Sequence, residues 1–274
     1  MRNAIPLLAT VFGAAALAAA SVASVASAQT LPYQSTDPKM KAAVDDLYAA
    51  NRILAFEGVI TGAGHVSVRS PTNPAHMLIS RSLAPPQVVP ADIQELDIAT
   101  CQNVNPKGPL LYQERHIHCS IYKARPDINA VVHSHTPNII VFSVIKTPLR
   151  AMMNGGRILG NGAPIHDMAD VKTKTANLIA SIDAGDSLAA AMGKGNVVLL
   201  RGHGSAVGAA DLHTAVGNVM GIEENATLQL RAMATGSPIT WSKPTDFVQT
   251  EEITRVLAGE DRNWNAEKFR AGVK

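Results

Sequence analysis

The sequence predicts an α/β protein, a mixed sheet with helices on both faces. Three observations predict it. A helical apolar repeat runs through Met40, Ala43, Val44, Leu47, Ala50, Ile53 and Leu54. Short stretches of strand length alternate with such repeats along the chain, His65–Arg69 being the clearest. Two apolar runs, Ala130–Val132 and Val197–Leu200, are each followed within a few residues by histidine. That pattern suits strands whose ends carry chemistry.

Residues 1–28 read as a leader rather than as part of the fold. Arg2 supplies a positive start, Ile5–Ala20 is apolar and alanine-rich, and Ala26-Ser27-Ala28 is a small-x-small cleavage site before Gln29. The expectation is an exported protein, periplasmic or secreted, with residues 29–274 as a single domain flanked by an N-terminal arm and a C-terminal tail. An uncleaved membrane anchor is the other reading of the same stretch. No second long apolar run follows, so no membrane association is expected after cleavage.

In chain order, residues 29–38 read as an extended arm and residues 39–57 as a helix ended by Gly58. Gly62 and Gly64 make a tight turn before the alternating strand His65–Arg69. Residues 77–80 and 93–98 read as further strands, separated by a loop that Pro85, Pro86 and Pro90 make too rigid for helix. A helix is predicted over 114–125, broken at Arg125-Pro126-Asp127, then a strand over 130–135 and a helix from Pro137 through Ile145. Four glycines between Arg150 and Gly162 predict loop. Residues 169–182 and 186–192 read as helical, 196–200 as strand and 201–205 as a turn. Asp211 caps a long helix to about Ala234, and a last helix is expected over 241–257.

Composition narrows the function classes. Twenty-four basic residues face 22 acidic ones, and loss of Arg2 brings the balance closer to neutral. That charge gives no electrostatic basis for binding nucleic acid or an anionic membrane. The two cysteines, Cys101 and Cys119, exclude a cysteine-only metal site. An exported chain permits a disulfide between them, but spacing alone does not establish one, and two separate thiols are an equal reading.

The chemistry concentrates in Glu114–His135, which holds four of the nine histidines. His133 and His135 are two apart at a strand end, so both imidazoles point to one face. His203, between Gly202 and Gly204, supplies a third candidate ligand where backbone and ligand can approach closely. Three imidazoles and a carboxylate, Glu114, suit an open catalytic metal site. Glu114 is either a ligand, a proton-transfer group or an offset to the helix dipole. His118, four residues on, shares its helix face and either orients Glu114 or contacts substrate. Arg69 and Arg201 either bind a carboxylate or phosphate or form surface ion pairs. His65 stands at the other end of the strand from Arg69. His116 reads as structural or exposed, and His76, His166 and His213 as non-catalytic.

With these residues placed, the pattern resembles the class II aldolase/adducin family. The shared features are the early glycine turn with Ser67-Val68-Arg69, the glutamate opening a helix, Arg125-Pro126-Asp127, Val131–His135 and Arg201–Gly204. They span about residues 40–235. The resemblance implies a mixed, mainly antiparallel sheet sandwiched between helix layers, commonly in a four-fold tetramer with active sites at subunit interfaces. It implies that His133, His135 and His203 bind a divalent metal, usually zinc, with manganese, magnesium and cobalt as the other candidates. It makes Glu114 the acid/base and sometimes a ligand.

Within that family, Gly64–Arg69, Glu114–His118 and His133–Pro137 look most like the decarboxylase branch, whose members act on carboxylated hydroxymuconic semialdehydes or dihydroxyphthalates. The sugar-phosphate aldolases and epimerases have asparagine at the position of His65. They also carry a Ser/Thr-Gly phosphate loop near Ser80-Arg81-Ser82, where this chain has Leu83 after Ser82. The segment Met152–Gly156 departs from the branch in lacking an aromatic residue and a histidine, and a leader peptide is unusual for it. The expectation is a metal-dependent carbon–carbon lyase, a decarboxylase of a small hydroxylated carboxylic acid. Glu114 and His65 are its catalytic candidates; Arg69, Ser80, Ser82, His118 and Arg201 are its substrate-binding candidates. The alternatives are an aldolase or epimerase of a sugar phosphate or hydroxy-aldehyde, and a non-catalytic adducin-like binding module.

Overall fold

The computed structural model of the chain describes residues 31–172, 176–247 and 261–273. The expected leader lies outside these residues, as do positions 248–257 of the expected last helix. Among the described residues, eight strands form one sheet: β1 His65–Arg69, β2 His76–Ser80, β3 Ile93–Asp97, β4 Gln102–Asn103, β5 Ala130–Ser134, β6 Ile165–His166, β7 Val197–Leu200 and β8 Gly204–Ala209. Their order across the sheet is β4-β3-β2-β1-β5-β8-β7-β6, and every neighbouring pair is antiparallel except β6 with β7. The described helices are α1 Pro38–Phe56, α2 Arg115–Ala124, α3 Pro137–Val144, α4 Ile182–Met192, α5 Leu212–Ala234 and α6 Arg262–Arg270.

Strand alternation divides the core into two layers. On one face of the sheet, Val66, Leu78, Val132, Leu199 and Val207 pack with α1, α3 and α5. On the other, Met77, Ile79, Val131, Val198 and Ala206 pack with α2 and α4. His65 and Ser67 flank Val66 in β1, and His133 follows Val132 in β5. Their side chains therefore share the α2 face.

Helix starts follow the local chemistry. Asp37 accepts from the Lys39 and Met40 amides with Pro38 in the first turn, and Asp211 accepts from the Thr214 amide at 2.7 Å. Ser181 caps α4 in the same way.

Three expectations are corrected. Gly204–Ala209 is a full strand rather than the tail of a turn, and it pairs β5 with β7 at the sheet centre. It lacks a strand-like sequence because its neighbours demand small residues. A Cβ on Gly204 would lie 2.0 Å from the Ser134 carbonyl oxygen, and one on Gly208 would lie 2.6 Å from Ile128 Cδ1. The described residues of the helix expected over 169–182 do not form it: a 3₁₀ turn spans Met168–Asp170, and residues 176–181 are not helical. There the Ile179 amide bonds the Glu114 side chain instead of a helix ladder. Residues 241–247 hold a 3₁₀ turn over Pro244–Phe247 rather than α-helix.

Cys101 and Cys119 are disulfide-bonded, which resolves the alternative left by spacing. The bridge ties the turn between β3 and β4 to α2. A loop of 18 residues so closed stabilises a fold by about 3 kcal/mol in the chain-entropy account. No helix among the described residues is long and apolar enough to cross a membrane.

Candidate functional site

Four elements deliver the site. β5 ends in His133-Ser134 with His135 just beyond it, the β7–β8 hairpin carries His203 in its turn, β1 begins at His65, and Glu114 stands at the start of α2. Antiparallel register sets His65 directly opposite His133 on one side of β5, and Ala206 opposite it on the other. The turn before β1 is held by Gly64, whose φ of +89° and close approach to the His133 carbonyl oxygen exclude a side chain.

The Nε2 atoms of His133 and His135 are 2.8 Å apart, and that of His203 is 3.0 Å from His135 Nε2. Glu114 Oε2 lies 3.5 Å from Nε2 of both His133 and His203. Ligand atoms from all four residues fall within 4.8 Å of one another. The other Glu114 oxygen accepts from the Ile179 amide at 3.1 Å, and this fixes the carboxylate plane. Glu114 makes no cap hydrogen bond to α2, so its side chain serves the cluster rather than the helix end.

Protonation follows from these contacts. His133 Nδ1 donates to the Ser205 carbonyl oxygen at 2.9 Å, which leaves a lone pair on Nε2 facing its neighbours. Burial, then the adjacent His133 and His203 rings, lower the His135 pKa to about 4. Burial opposes ionisation of Glu114, but the His133 and His203 contacts outweigh it and hold the carboxyl well below its usual range. Three imidazole nitrogens and an ionised carboxylate oxygen converge on one point. The donor set therefore fits a divalent metal, with His133 oriented from behind by a backbone carbonyl as ligating histidines are.

The remaining candidates separate. His65 adjoins the cluster, its ring centroid 5.1 Å from that of His133. Burial and the His118 and His133 rings keep its pKa well below the ordinary value. His118 is fully buried, with its ring nitrogens 2.6 Å from His65 Nδ1 and 2.6 Å from Ser67 Oγ. Both of its ring nitrogens are engaged within the chain, so it lies behind His65. Ser80 Oγ is taken by the Tyr112 hydroxyl at 3.0 Å, and the Ser82 amide donates to the Leu110 carbonyl.

Arg69 lies four residues along β1 from His65, about 13 Å away. Its guanidinium donates to the carbonyls of Pro74, Tyr122, Arg125 and Ile128 and to Asn129 Oδ1, so it is a structural clamp and not a substrate ligand. Arg201 forms the exposed ion pair with Asp167 that was its alternative reading. Sequence reasoning missed Ser67, Tyr112, Tyr122, Ser205 and Ile179. Tyr122 had a signal, standing four residues after His118 on the same helix face. So did Ser67, two residues after His65 on the same strand face.

Sheet, helix layers and a histidine–carboxylate cluster at the strand ends together define an enzyme-like α/β domain of the class II aldolase type. The chain belongs to the Class II Aldolase and Adducin N-terminal domain family, whose model matches residues 45–230. It is 31% identical over 193 residues to decarboxylase tropJ of Talaromyces stipitatus, covering 66% of this chain and 73% of that one. It is 27% identical over 218 residues to the 3,4-dihydroxyphthalate decarboxylase of Arthrobacter keyseri, covering 74% and 84%. Among solved structures, an L-fuculose 1-phosphate aldolase superposes with a TM-score of 0.62 at 23% identity, over 80% of this chain and 95% of that one. An aldolase II superfamily protein from Pseudomonas syringae gives 0.66 at 23% identity, over 86% and 94%.

Proposed function

We propose that this protein is a metal-dependent carbon–carbon lyase that decarboxylates a hydroxylated carboxylic acid of aromatic or muconate type. The observation that carries the reading is the convergence of Glu114, His133, His135 and His203. The relation to two decarboxylases supports the choice of reaction. His133, His135 and His203 hold a divalent metal, zinc first among the candidates. Such a metal supplies charge stabilisation to substrate oxygens as negative charge develops on them. Glu114, ionised at rest, takes a proton from a substrate hydroxyl and delivers it to the carbon that carries the carboxylate, which turns the hydroxyl oxygen into a keto oxygen. The bond to the carboxylate then breaks, carbon dioxide leaves, and the electron pair moves onto that keto oxygen as an enolate. His65 faces the substrate from the adjoining strand.

The second reading, a sugar-phosphate aldolase, draws on the L-fuculose phosphate aldolase of Escherichia coli, 28% identical over 152 residues. The segment where a phosphate would sit speaks against it. Ser80 Oγ and the Ser82 amide are engaged within the chain, and Arg81 pairs with Asp92 at 2.6 Å. A non-catalytic module has no use for an intact ligand cluster.

The test is a screen of dihydroxyphthalates and hydroxymuconic acids with zinc-loaded protein, reading carbon dioxide release and bound zinc. Carbon dioxide release, with loss of both zinc and turnover in His133→Ala, is expected. A fully active, metal-free His133→Ala protein, or aldehyde release from a sugar phosphate in place of decarboxylation, overturns the proposal.

Two further parts of the reading concern context. Export is supported by the leader-like residues 1–28 and by the Cys101–Cys119 disulfide, a bond that persists in oxidising compartments. Mature protein beginning at Gln29 outside the cytoplasm is expected; protein retained in the cytoplasm with Met1 intact sinks it. A homotetramer is supported by family resemblance and by the exposed apolar Val141 and Val144 of α3, the helix that follows His135. Light scattering should give about four chain masses, and a monomer at working concentration refutes it.

A further inference from the structure

Behind His65 a line of hydrogen bonds runs into the core. His65 Nδ1 is 2.6 Å from His118 Nε2, His118 Nδ1 is 2.6 Å from Ser67 Oγ, and Ser67 Oγ is 2.8 Å from the Tyr122 hydroxyl. The last three residues are at most 2% exposed. His65 Nε2 makes no hydrogen bond to the described residues, and the ring lies beside the cluster, 5.1 Å from that of His133.

The line has only one satisfactory direction. Each hydroxyl carries one proton, and so does each neutral ring. The one hydrogen-bond partner of the Tyr122 hydroxyl among the described residues is Ser67 Oγ. The phenol proton is then left with Ser67 Oγ as its acceptor. Ser67 in turn donates to His118 Nδ1, His118 Nε2–H donates to His65 Nδ1, and the His65 proton stands on Nε2. Running the line the other way leaves the buried phenol proton without an acceptor. Letting Ser67 accept from both sides leaves its own proton without one. A second proton on His118 would relax this constraint, but burial first, then the His133 ring, depress its pKa to about 3. Both ring positions of His118 are therefore committed.

We propose that Tyr122, Ser67 and His118 are positioning residues that lock His65 into the Nε2–H tautomer, so that His65 presents a hydrogen-bond donor to substrate and never a base. This assigns the two proton roles separately. Glu114 accepts and returns the proton, and His65 steadies an oxygen of the substrate that gains negative charge, as neutral histidine donors do. It also defines the ligand chemistry: His65 selects substrates with an acceptor oxygen, carboxylate or enolate, at that position. The inference rests on the proposed reading of His65 as substrate-facing.

The test reads the tautomer directly, so it stays separate from whether decarboxylation is the reaction. The zinc-loaded protein is labelled with ¹⁵N-histidine, and the His65 resonances are identified by their loss in His65→Gln. The expected native spectrum shows a protonated Nε2 and an unprotonated Nδ1. Tyr122→Phe, which removes only the hydroxyl, should mix or invert the two forms with zinc content unchanged. It should also lower kcat by about tenfold or more, with KM moving less. A protonated Nδ1 in the native protein, or a Tyr122→Phe spectrum identical to native, overturns the proposal. If Tyr122→Phe fails to fold, the pair Ser67→Ala and Ser67→Thr decides it. Thr should keep the native tautomer and Ala should lose it; equal spectra for the two refute the relay.

Discussion

Glu114 divides its two oxygens between backbone and cluster. One is held by the Ile179 amide, and the other faces His133 and His203. A group fixed in this way can exchange a proton without reorienting. Replacing it with glutamine keeps the shape and removes the charge. Glu114→Gln is expected to retain zinc through the three histidines and to lower kcat roughly 10²–10⁴-fold. Zinc content and single-turnover rates measure both, and unimpaired turnover would exclude the proton-transfer role. Arg69 makes the opposite prediction. Its contacts are main-chain carbonyls, the Asn129 side-chain oxygen and the face of the Tyr122 ring, 4.8 Å from the guanidinium carbon. Arg69→Met leaves part-buried carbonyls unpaired, at about 1–3 kcal/mol for each one that water cannot reach. Urea unfolding should show that loss, while kcat per folded molecule stays native. A selective rise in KM would restore Arg69 as a substrate ligand.

The β7–β8 hairpin is the element on which the third histidine depends. Its strands pair Leu200 with Gly204, and His203 sits in the turn between them. Gly204 lies so close to Ser134 and His135 that any side chain must push the hairpin away from β5. Gly204→Ala should therefore move His203 out of reach of His135. A drop in zinc affinity of about 10–100-fold is expected, the scale seen when a metal ligand loses its support. Competition with a zinc chelator measures it, and native affinity would show that the hairpin is free to adjust. The order of elements around the site was legible in the sequence where patterns were strong. The α1 repeat, the β1 alternation and the Asp211 cap each announce their element. β8 was not legible, because close backbone packing replaced the β-branched residues that mark a strand with glycine and alanine. The segment 169–182 misled for a related reason. Val171 and Ile179 are spaced as in a helix, but both are buried in the α2–α4 layer and residues 176–181 are not helical.

At the scale of the molecule, the C-terminal helix α6 is fastened across the outside of one layer. His213 at the start of α5 pairs with Asp261, lies 3.6 Å from Asp46 of α1, and stacks on Trp264 of α6 at 3.9 Å. Arg270 adds an ion pair to Glu57 at 2.9 Å. Burial disfavours charging His213, but Asp46 and Asp261 outweigh it and raise its pKa above the ordinary 6.5. A raised folded pKa means that this fastening contributes fully below the ordinary value and is lost as pH rises through the folded one. Hydrogen exchange over 262–270 should therefore quicken as pH rises above the ordinary histidine value of about 6.5, beyond its intrinsic base catalysis. The same comparison in His213→Gln should show no such excess. An equal excess in both proteins would assign the loosening elsewhere.

The sequence by itself marked the histidines that gather. Spacing of two residues put His133 and His135 on one strand face, and the flanking glycines marked His203 as accessible. Those are local rules, set by the geometry of two or three consecutive residues. Only the tertiary structure decided which polar residues join them. Arg69 and His65 share a strand and a face, yet one meets backbone carbonyls and the other the ligand cluster. Ser67, Tyr122 and Ser205 enter the site through pairings of β1 with α2 and of β5 with β8, across 51 to 72 positions of chain. No local pattern encodes such contacts, because they are fixed by register between strands and by which helix covers the sheet.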